Sequence, residues 1–249
     1  MGWLNEKRVV VTRAAGQNSE FCAALTAAGA IPCELPMIRI EPAPVTEALI
    51  SALEGLHQYH LVLFTSANGV RMLRRRMDDL GIGVDRLAAV RIGVIGTATS
   101  AVVEELFDRS PDVVPTHHLS EDFLAALGDV AGQSILIPTS NIARDTLLTG
   151  LCARGAAVDR VVVYYTVPAP RPDNFAEVLQ STAAVTFTSS STVQSFAGML
   201  LGTPFDGVTA CIGSKTAETA REAGLTVDVV AEVSSVEGIV GSLDQYRSG

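Results

Sequence analysis

The sequence predicts an α/β protein made of two related halves, each built around a parallel sheet. Short Val/Ile-rich runs alternate with Ala/Leu-periodic segments of helical length along the whole chain. Nearly continuous apolar runs are typical of strands that helices cover on both faces. Several short motifs also occur twice and in the same order, so we expect two α/β domains related by internal duplication.

The alternation places the elements in order along the chain. The predicted strands cover 8–11, 60–64, 89–95, 134–137, 157–163, 183–187 and 208–212. The predicted helices cover 17–28, 45–56, 68–79, 97–107, 121–130, 142–154, 192–200 and 215–223. A Leu-x-x-x-Gly-Ala motif spans the end of two of these helices, at 25–30 and 151–156. Its glycine, just beyond the helix, is expected to be left-handed.

The clearest repeat is a Phe-Thr-Ser motif. Phe64-Thr65-Ser66 and Phe187-Thr188-Ser189 each end a predicted strand and open a predicted helix. A Gly-x-x-Thr pattern follows in each half, at 96–99 and 213–216. Repeated loops of one kind at the ends of strands suggest one binding surface that is built twice.

Two proline-bearing segments, 36–44 and 167–172, interrupt the alternation. Proline excludes a helix, so both segments are predicted to be extended connectors. If the chain crosses between domains there, one domain is continuous over 38–170, and the other combines 1–37 with 171–249. We expect the two domains to hinge about residues 36–44 and 165–172.

Composition excludes several classes of protein. The 249 residues are 48% hydrophobic and 18% charged, which favours a folded globular chain over disorder. The net charge of −9 argues against a nucleic-acid partner, and the basic run 74–76 is interpreted as a solvated helix end because acidic residues follow it. Without a long apolar run or an apolar signal core at the start, no membrane segment and a cytoplasmic location are predicted.

No metal or cofactor site is predicted. The cysteines lack metal-ligand spacing and are interpreted as buried or half-buried thiols, and the histidines as surface or structural residues. The segment 93–96 lacks the spacing of a dinucleotide-binding loop. The four cysteines are Cys22, Cys33, Cys152 and Cys211, and the four histidines are His57, His60, His117 and His118.

Hydroxyl-bearing turns form the candidate site. A helix N-terminus that follows a parallel strand attracts anions through its free N–H groups. For any one turn, simple capping of the helix is the alternative, but several such turns at the carboxyl ends of strands favour a ligand. The turns contain Thr12-Arg13, Thr65-Ser66, Gly96 to Thr99, Thr188-Ser189 and Gly213 to Thr216.

Tyr164 and Tyr165 end a predicted strand just before a proline connector, in a chain with four tyrosines. A phenol at such a place can donate a hydrogen bond or a proton to a ligand. Packing of an aromatic ring at the strand end is the alternative.

Taken together, these motifs resemble the uroporphyrinogen-III synthase family from end to end. The resemblance rests on the turns above, on Val163-Tyr164-Tyr165-Thr166, and on Ala231-Glu232 followed by Ser234. It implies two α/β domains joined by a two-stranded linker. It also implies cofactor-free cyclisation of hydroxymethylbilane, with loss of water and inversion of ring D, in haem biosynthesis.

The resemblance also implies roles for individual residues. Tyr164 matches the tyrosine that assists departure of the hydroxyl group, and Tyr165 falls at a variable position. Arg13 and Lys215 are implied as cationic contacts. The substrate-contacting turns are carried over to Thr12, Ser66, Thr99, Ser189 and Thr216.

The sequence departs from the family pattern at two places. Ala14 stands where proline is frequent, and Thr139 stands where arginine is common. The second departure removes a charge, so a non-catalytic relative that binds a tetrapyrrole or another polyanion as a sensor is the alternative. The implied partners are the substrate and, transiently, the preceding deaminase, and the chain is predicted to be a monomer.

Overall fold

The computed structural model describes residues 2–115 and 120–247, and at residues 120 and 121 it describes the backbone alone. The strands are β1 (Arg8–Val11), β2 (Ile31–Glu34), β3 (Ile38–Pro42), β4 (Leu61–Phe64), β5 (Arg91–Val94), β6 (Ser134–Ser140), β7 (Ala157–Pro168), β8 (Ala184–Phe187), β9 (Val208–Cys211) and β10 (Val229–Val230). The helices are α1 (Ser19–Ala27), α2 (Glu47–Glu54), α3 (Ala67–Asp79), α4 (Thr97–Phe107), α5 (Ser120–Ala126), α6 (Thr146–Ala153), α7 (Phe175–Gln180), α8 (Ser190–Leu200), α9 (Ser214–Glu222) and α10 (Val236–Asp244).

The chain divides into two compact units. Unit 1 is Met1–Arg39 with Val167–Gly249, and unit 2 is Ile40–Thr166. Each unit contains one sheet flanked by two clusters of buried apolar side chains, with strand residues contributing to both clusters. Burial on both faces explains why the central strands have continuous apolar sequences.

The sheet of unit 1 has the order β10-β9-β8-β1-β2, and its neighbouring strands all run parallel. In β1, Val9 and Val11 face one buried cluster, while Val10 faces the other. This alternation follows from the two-residue period of a strand. The sequence therefore predicted this central strand because its three fully buried residues, Val9, Val10 and Val11, are all apolar.

The sheet of unit 2 has the order β3-β7-β6-β4-β5, and β7, β6, β4 and β5 run parallel. Ala169 N donates to Met37 O and Ala43 N donates to Val163 O. One residue number rises as its partner's falls, so β3 and β7 run antiparallel. The chain crosses between units within these two paired strands, and the segment predicted as an extended connector at 36–44 contains strand β3.

The two units also share a hydrogen bond between an aspartate and a strand N–H at one edge of the sheet. Asp112 Oδ2 accepts from Ile92 N at 2.7 Å, and Asp228 Oδ2 accepts from Thr209 N at 2.8 Å. Each aspartate immediately precedes an edge segment that pairs in parallel with the neighbouring strand. The two expected left-handed glycines are also confirmed, with φ of 85° at position 29 and 82° at position 155.

The prediction missed β2, β3, β10, α7 and α10. The burial of β2 is only partial, so its sequence has no continuous apolar run. Helix α10 is capped by Ser235, whose Oγ accepts from Gly238 N at 3.0 Å, but its two glycines weaken the helical signal.

Two smaller expectations are tested by burial and ion pairing. Cys152 is exposed, which corrects the prediction of a buried or half-buried thiol there; the other three cysteines are buried or intermediate. The basic run pairs with acidic residues of its own helix, Arg74 with Asp78 and Arg76 with Asp79. Arg76 also donates to Ala43 O and is only 12% exposed, so this part of the run is structural and not solvated.

Within the described ranges, every helix is too short or too polar to cross a membrane. The same residues contain no cluster of three or more His, Cys, Asp or Glu side chains able to hold a metal ion. His57 and His60 are exposed, and His60 Nδ1 accepts from Ser134 N at 3.1 Å. His117 and His118 lie outside the described residues.

Candidate active site

The strand order creates one reversal point in each sheet. In unit 1 the chain runs from β1 outward to β2 and then returns to β8 on the other side of β1. In unit 2 it runs from β4 to β5 and returns to β6 on the other side of β4. Ligands of open α/β sheets bind outside the carboxyl ends of strands at such points. The turns after β1, β8 and β4 are all among the predicted site.

Ser66, which follows β4, caps helix α3. Its backbone is extended, with φ −158° and ψ 150°, and its Oγ accepts from Gly69 N at 3.1 Å. A side chain at Gly69 would lie 3.1 Å from Pro138 O, so glycine lets α3 approach β6 closely. The capping alternative therefore holds for Ser66, but the cap occupies only one lone pair of the hydroxyl.

The Ser66 hydroxyl also contacts Tyr164. The Tyr164 phenol oxygen lies 2.9 Å from Ser66 Oγ, and the Tyr164 residue is 6% exposed. Either oxygen can be the donor in this contact, and in one arrangement the serine donates its own proton to the phenol oxygen. The phenol proton is then available to an acceptor other than Ser66. Ser66 is the N-cap residue of α3, so the pair lies beside a helix N-terminus.

A β-bulge aims the Tyr164 ring. The β6–β7 register pairs Thr139 with Val162 but Ser140 with Tyr164, so Val163 is an extra residue. Val163 and Tyr164 consequently both pack into the same buried cluster, although consecutive strand residues normally face opposite sides. Tyr165 is left 36% exposed. The ring of Tyr164 is buried, as expected if the residue serves to pack the strand end. Its oxygen contacts Ser66, as expected if it also forms a hydrogen bond in the site.

Sequence reasoning missed one residue of this site, Asn141. It follows β6 and contacts the same stretch of β7, through Tyr164 O and Thr166 N. The signal was the polar sequence Ser140-Asn141 directly after a buried strand, a pattern that often marks a functional turn.

The remaining predicted residue of unit 2 is Thr99, in the first turn of α4. It is 4% exposed, and its Oγ1 donates to Ile95 O at 3.1 Å. Gly96 precedes this helix with φ of 95°, a conformation that suits glycine. The N–H groups of Thr99 and Ser100 both donate to Gly96 O, so an anion at this turn would be held by the N–H groups of Thr97 and Ala98.

In unit 1, Ser189 repeats the geometry of Ser66. Its φ and ψ are −160° and 156°, and its Oγ accepts from Thr192 N at 3.4 Å. Thr12 is fully buried and donates to Thr186 O at 2.7 Å, so its hydroxyl joins β1 to β8. Arg13 beside it is half-buried.

The turn after β9 completes the predicted set. Thr216 is 6% exposed, whereas Lys215 is exposed, and both lie in the first turn of α9. A side chain at Gly213 would lie 2.9 Å from Ser234 Oγ, so the Ser234 region approaches this turn closely. Helix N-termini therefore stand at the carboxyl edge of both sheets, in a chain whose net charge is −9. Local N–H groups can hold anions there in spite of the overall negative charge.

A known family matches most of the chain. The family model described as uroporphyrinogen-III synthase HemD matches residues 19–241. The chain belongs to the uroporphyrinogen-III synthase family. The predicted family is confirmed.

Relatives agree with this assignment. The chain is 30% identical to the porphyrin biosynthesis protein HemD of Ruminiclostridium josui, over 97% of the chain and 49% of that protein. It is 29% identical to the uroporphyrinogen-III synthase of Synechococcus elongatus, over 96% of the chain and 95% of that protein. The chain thus spans about half the length of the first relative and almost all of the second.

Solved structures share the fold. A mutant uroporphyrinogen III synthase from the extremely thermophilic bacterium Thermus thermophilus matches with a TM-score of 0.65 and 21% identity, covering 94% of this chain and 96% of that one. The uroporphyrinogen-III synthetase of Helicobacter pylori 26695 matches with a TM-score of 0.62 and 16% identity, covering 94% and 97%. The predicted fold class is confirmed.

Proposed function

We propose that this chain is a uroporphyrinogen-III synthase, a lyase that closes hydroxymethylbilane to uroporphyrinogen III with loss of water and inversion of ring D. The observation that carries the proposal is the Ser66–Tyr164 contact at 2.9 Å. It places a phenol, polarised by a helix N-terminus, at the carboxyl edge of a sheet in a chain of this family. Two hydroxyl groups in contact suit proton donation to a leaving hydroxyl.

In the proposed reaction, Tyr164 donates its proton to the departing hydroxyl group, which leaves as water. The remaining azafulvene is attacked by the substituted carbon of ring D to give a spiro intermediate. This intermediate fragments and recloses as the type III isomer, and the proton that ring D finally loses replaces the one that Tyr164 donated. The protein's main task is to hold the flexible chain so that the crowded carbon is reached.

We infer that the carboxylates of the substrate bind the repeated helix N-termini. Ser66 and Thr99 mark two such turns in unit 2, and Ser189 and Thr216 mark two in unit 1. Arg13 and Lys215 would add positive charge in unit 1. The buried Thr12 hydroxyl is bonded within the sheet, so its turn would contribute through backbone groups.

The organisation of the protein is also proposed. We expect units 1 and 2 to correspond to the domains predicted at 1–37 with 171–249 and at 38–170. A cytoplasmic monomer that receives its substrate through transient contact with the preceding deaminase remains our prediction.

The test is the isomer composition of the porphyrinogen formed when the purified protein meets freshly generated hydroxymethylbilane. The product is oxidised and separated by chromatography. An excess of type III over a protein-free control supports the synthase. Type I alone, with the protein shown to be folded by circular dichroism, would favour the non-catalytic binding relative.

A further inference from the structure

We propose that Asn141 is a positioning residue that holds the end of β7 and thereby fixes Tyr164 against Ser66. The inference rests on the proposed function, because it gives Asn141 a part in the reaction through the Tyr164 phenol. Three observations carry it: the bulge in β7, the two hydrogen bonds of Asn141, and the place where strand β6 ends.

The bulge makes the aim of Tyr164 depend on its neighbours. Without the bulge, the two-residue period would turn Tyr164 toward the sheet face opposite Val163. With it, both side chains pack into one cluster and the phenol reaches Ser66. A bulged ladder has lost part of its regular bonding, so the residues beyond the bulge need another attachment.

Asn141 provides that attachment at two points. Its backbone N–H donates to Tyr164 O at 3.3 Å, and its side-chain Oδ1 accepts from Thr166 N at 2.9 Å. In a parallel ladder, the main-chain carbonyl of the residue opposite Tyr165 would accept from Thr166 N. Here the side-chain oxygen takes the place of that carbonyl.

The replacement of a main-chain carbonyl by the side-chain oxygen of Asn141 matters because β6 ends at Ser140. The chain turns immediately afterwards, as Ala143 N donates to Ser140 O at 3.3 Å. A main chain that turns away cannot continue the ladder, whereas the short side chain of asparagine can reach back to the strand. Asn141 therefore lets the turn begin while Thr166, two residues beyond Tyr164, stays attached.

The experiment compares Asn141→Ala with Asn141→Asp, which keeps the Oδ1 acceptor, and with Thr149→Ala as a control on an exposed residue of the same unit. We expect Asn141→Ala to lower kcat for type III formation about 5- to 10-fold, the factor associated with one hydrogen bond, with KM little changed. Asn141→Asp and Thr149→Ala should stay close to the wild type. Amide exchange at Thr166, followed by NMR, should accelerate about 10-fold in Asn141→Ala alone.

A double-mutant cycle tests whether Asn141 acts through Tyr164. In a Tyr164→Phe background, Asn141→Ala should add little further loss of kcat, since the phenol it positions is gone. Full additivity of the two losses would overturn the proposal. So would unchanged kcat and unchanged Thr166 exchange in Asn141→Ala, or an Asn141→Asp variant that keeps Thr166 protected yet loses as much kcat as the alanine variant.

The isomer formed by the wild-type protein shows whether a negative result refutes the role of Asn141 alone or the synthase assignment as well. If the wild type forms type I alone, the synthase assignment is wrong and Asn141 has no part in that reaction, which also overturns its catalytic positioning role. If the wild type forms type III and Asn141→Ala equals it in rate, only the inference about Asn141 is wrong.

Discussion

The turns after β4 and β8 show what duplication preserved and what it changed. Ser66 and Ser189 cap their helices with backbone angles that agree within a few degrees. The hydroxyl of Ser66 contacts the Tyr164 phenol, whereas that of Ser189 contacts Ser191 Oγ at 3.0 Å. The same capping geometry thus accompanies a contact with the proposed catalytic phenol in unit 2 and a contact with a neighbouring serine in unit 1.

The difference comes from the strand at the corresponding place in each sheet. β2 and β7 begin in equivalent registers, since Ile31 pairs with Arg8 and Ala157 pairs with Ser134. β2 ends after 4 residues, but β7 continues for 12 and carries Tyr164 on its extension. The longer strand of unit 2 therefore carries a phenol to a place where the shorter β2 of unit 1 has ended.

The largest effect should come from removing the phenol. Tyr164→Phe is expected to lower kcat for type III formation about 100-fold, the lower range for loss of a general acid. Tyr165→Phe, at the exposed neighbouring position, should stay near the wild type. Rates are measured by chromatography of the oxidised products, with circular dichroism to confirm folding. Equal rates in the two variants would remove the proposed asymmetry between the halves.

The two serines provide a matched pair. Ser66→Ala and Ser189→Ala should each lower the free energy of unfolding by about 1 kcal/mol, because each loses a helix cap. Only Ser66→Ala should also lower kcat, by roughly 10-fold for one lost hydrogen bond to the phenol. Ser189→Ala should act mainly on KM. A kcat loss of the same size in both would show that the caps, and not the contact with Tyr164, determine the rate.

Asp112 and Asp228 make the equivalent hydrogen bond in the two units, so they provide a second matched pair of variants. Asp112→Ala should cost about 2 kcal/mol and Asp228→Ala about 1 kcal/mol, since both lose a bond to a backbone N–H but Asp112 also pairs with Arg109 at 2.7 Å. Urea unfolding followed by circular dichroism gives both values.

The single tryptophan, Trp3, lies in unit 1 and packs edge-on against Tyr246 at 5.4 Å. Its fluorescence should therefore report the effect of Asp228→Ala, which is in the same unit. A Trp3 transition that responds only to Asp112→Ala would contradict the equivalence of the two edges.

The smallest effect concerns Cys211 of unit 1, which pairs with Phe187 as Val94 pairs with Phe64 in unit 2. Burial raises the pKa of the Cys211 thiol from 9.0 to about 11, although Arg221 opposes the shift. The folded state therefore holds this proton more tightly, so stability is complete below pH 9 and declines as the pH rises through 11.

Cys211→Val, which imports the unit 2 residue, should reduce this alkaline loss by an amount on the order of 1 kcal/mol. Urea unfolding followed by Trp3 fluorescence at pH 8 to about 11 measures it, with Cys152→Ser as the exposed control. A Cys211→Val protein with the same pH dependence as the wild type would show that this thiol does not contribute.

Much of the fold could be predicted where local sequence and burial agree. Strand β1 and helix α4 have the predicted bounds, 8–11 and 97–107, because a run of three valines and an Ala/Val-rich segment that begins directly after Gly96 leave clear patterns. The edge strands β2 and β10 were missed because half-exposed side chains carry no such pattern. Strand β3 was missed because proline segments resemble connectors, and only pairing with β7 makes it a strand.

The sequence by itself determined the α/β class, the duplication and the capping serines, because each leaves a local pattern of residues, and it singled out Tyr164 as a candidate. The tertiary structure decided which of the repeated serines meets a phenol. The bulge in β7 places the Tyr164 ring on the Val163 side of the sheet, and beyond it the Asn141 side chain accepts from Thr166 N. Both are consequences of pairing between strands distant in sequence, and no local pattern of residues specifies the register of such a pairing.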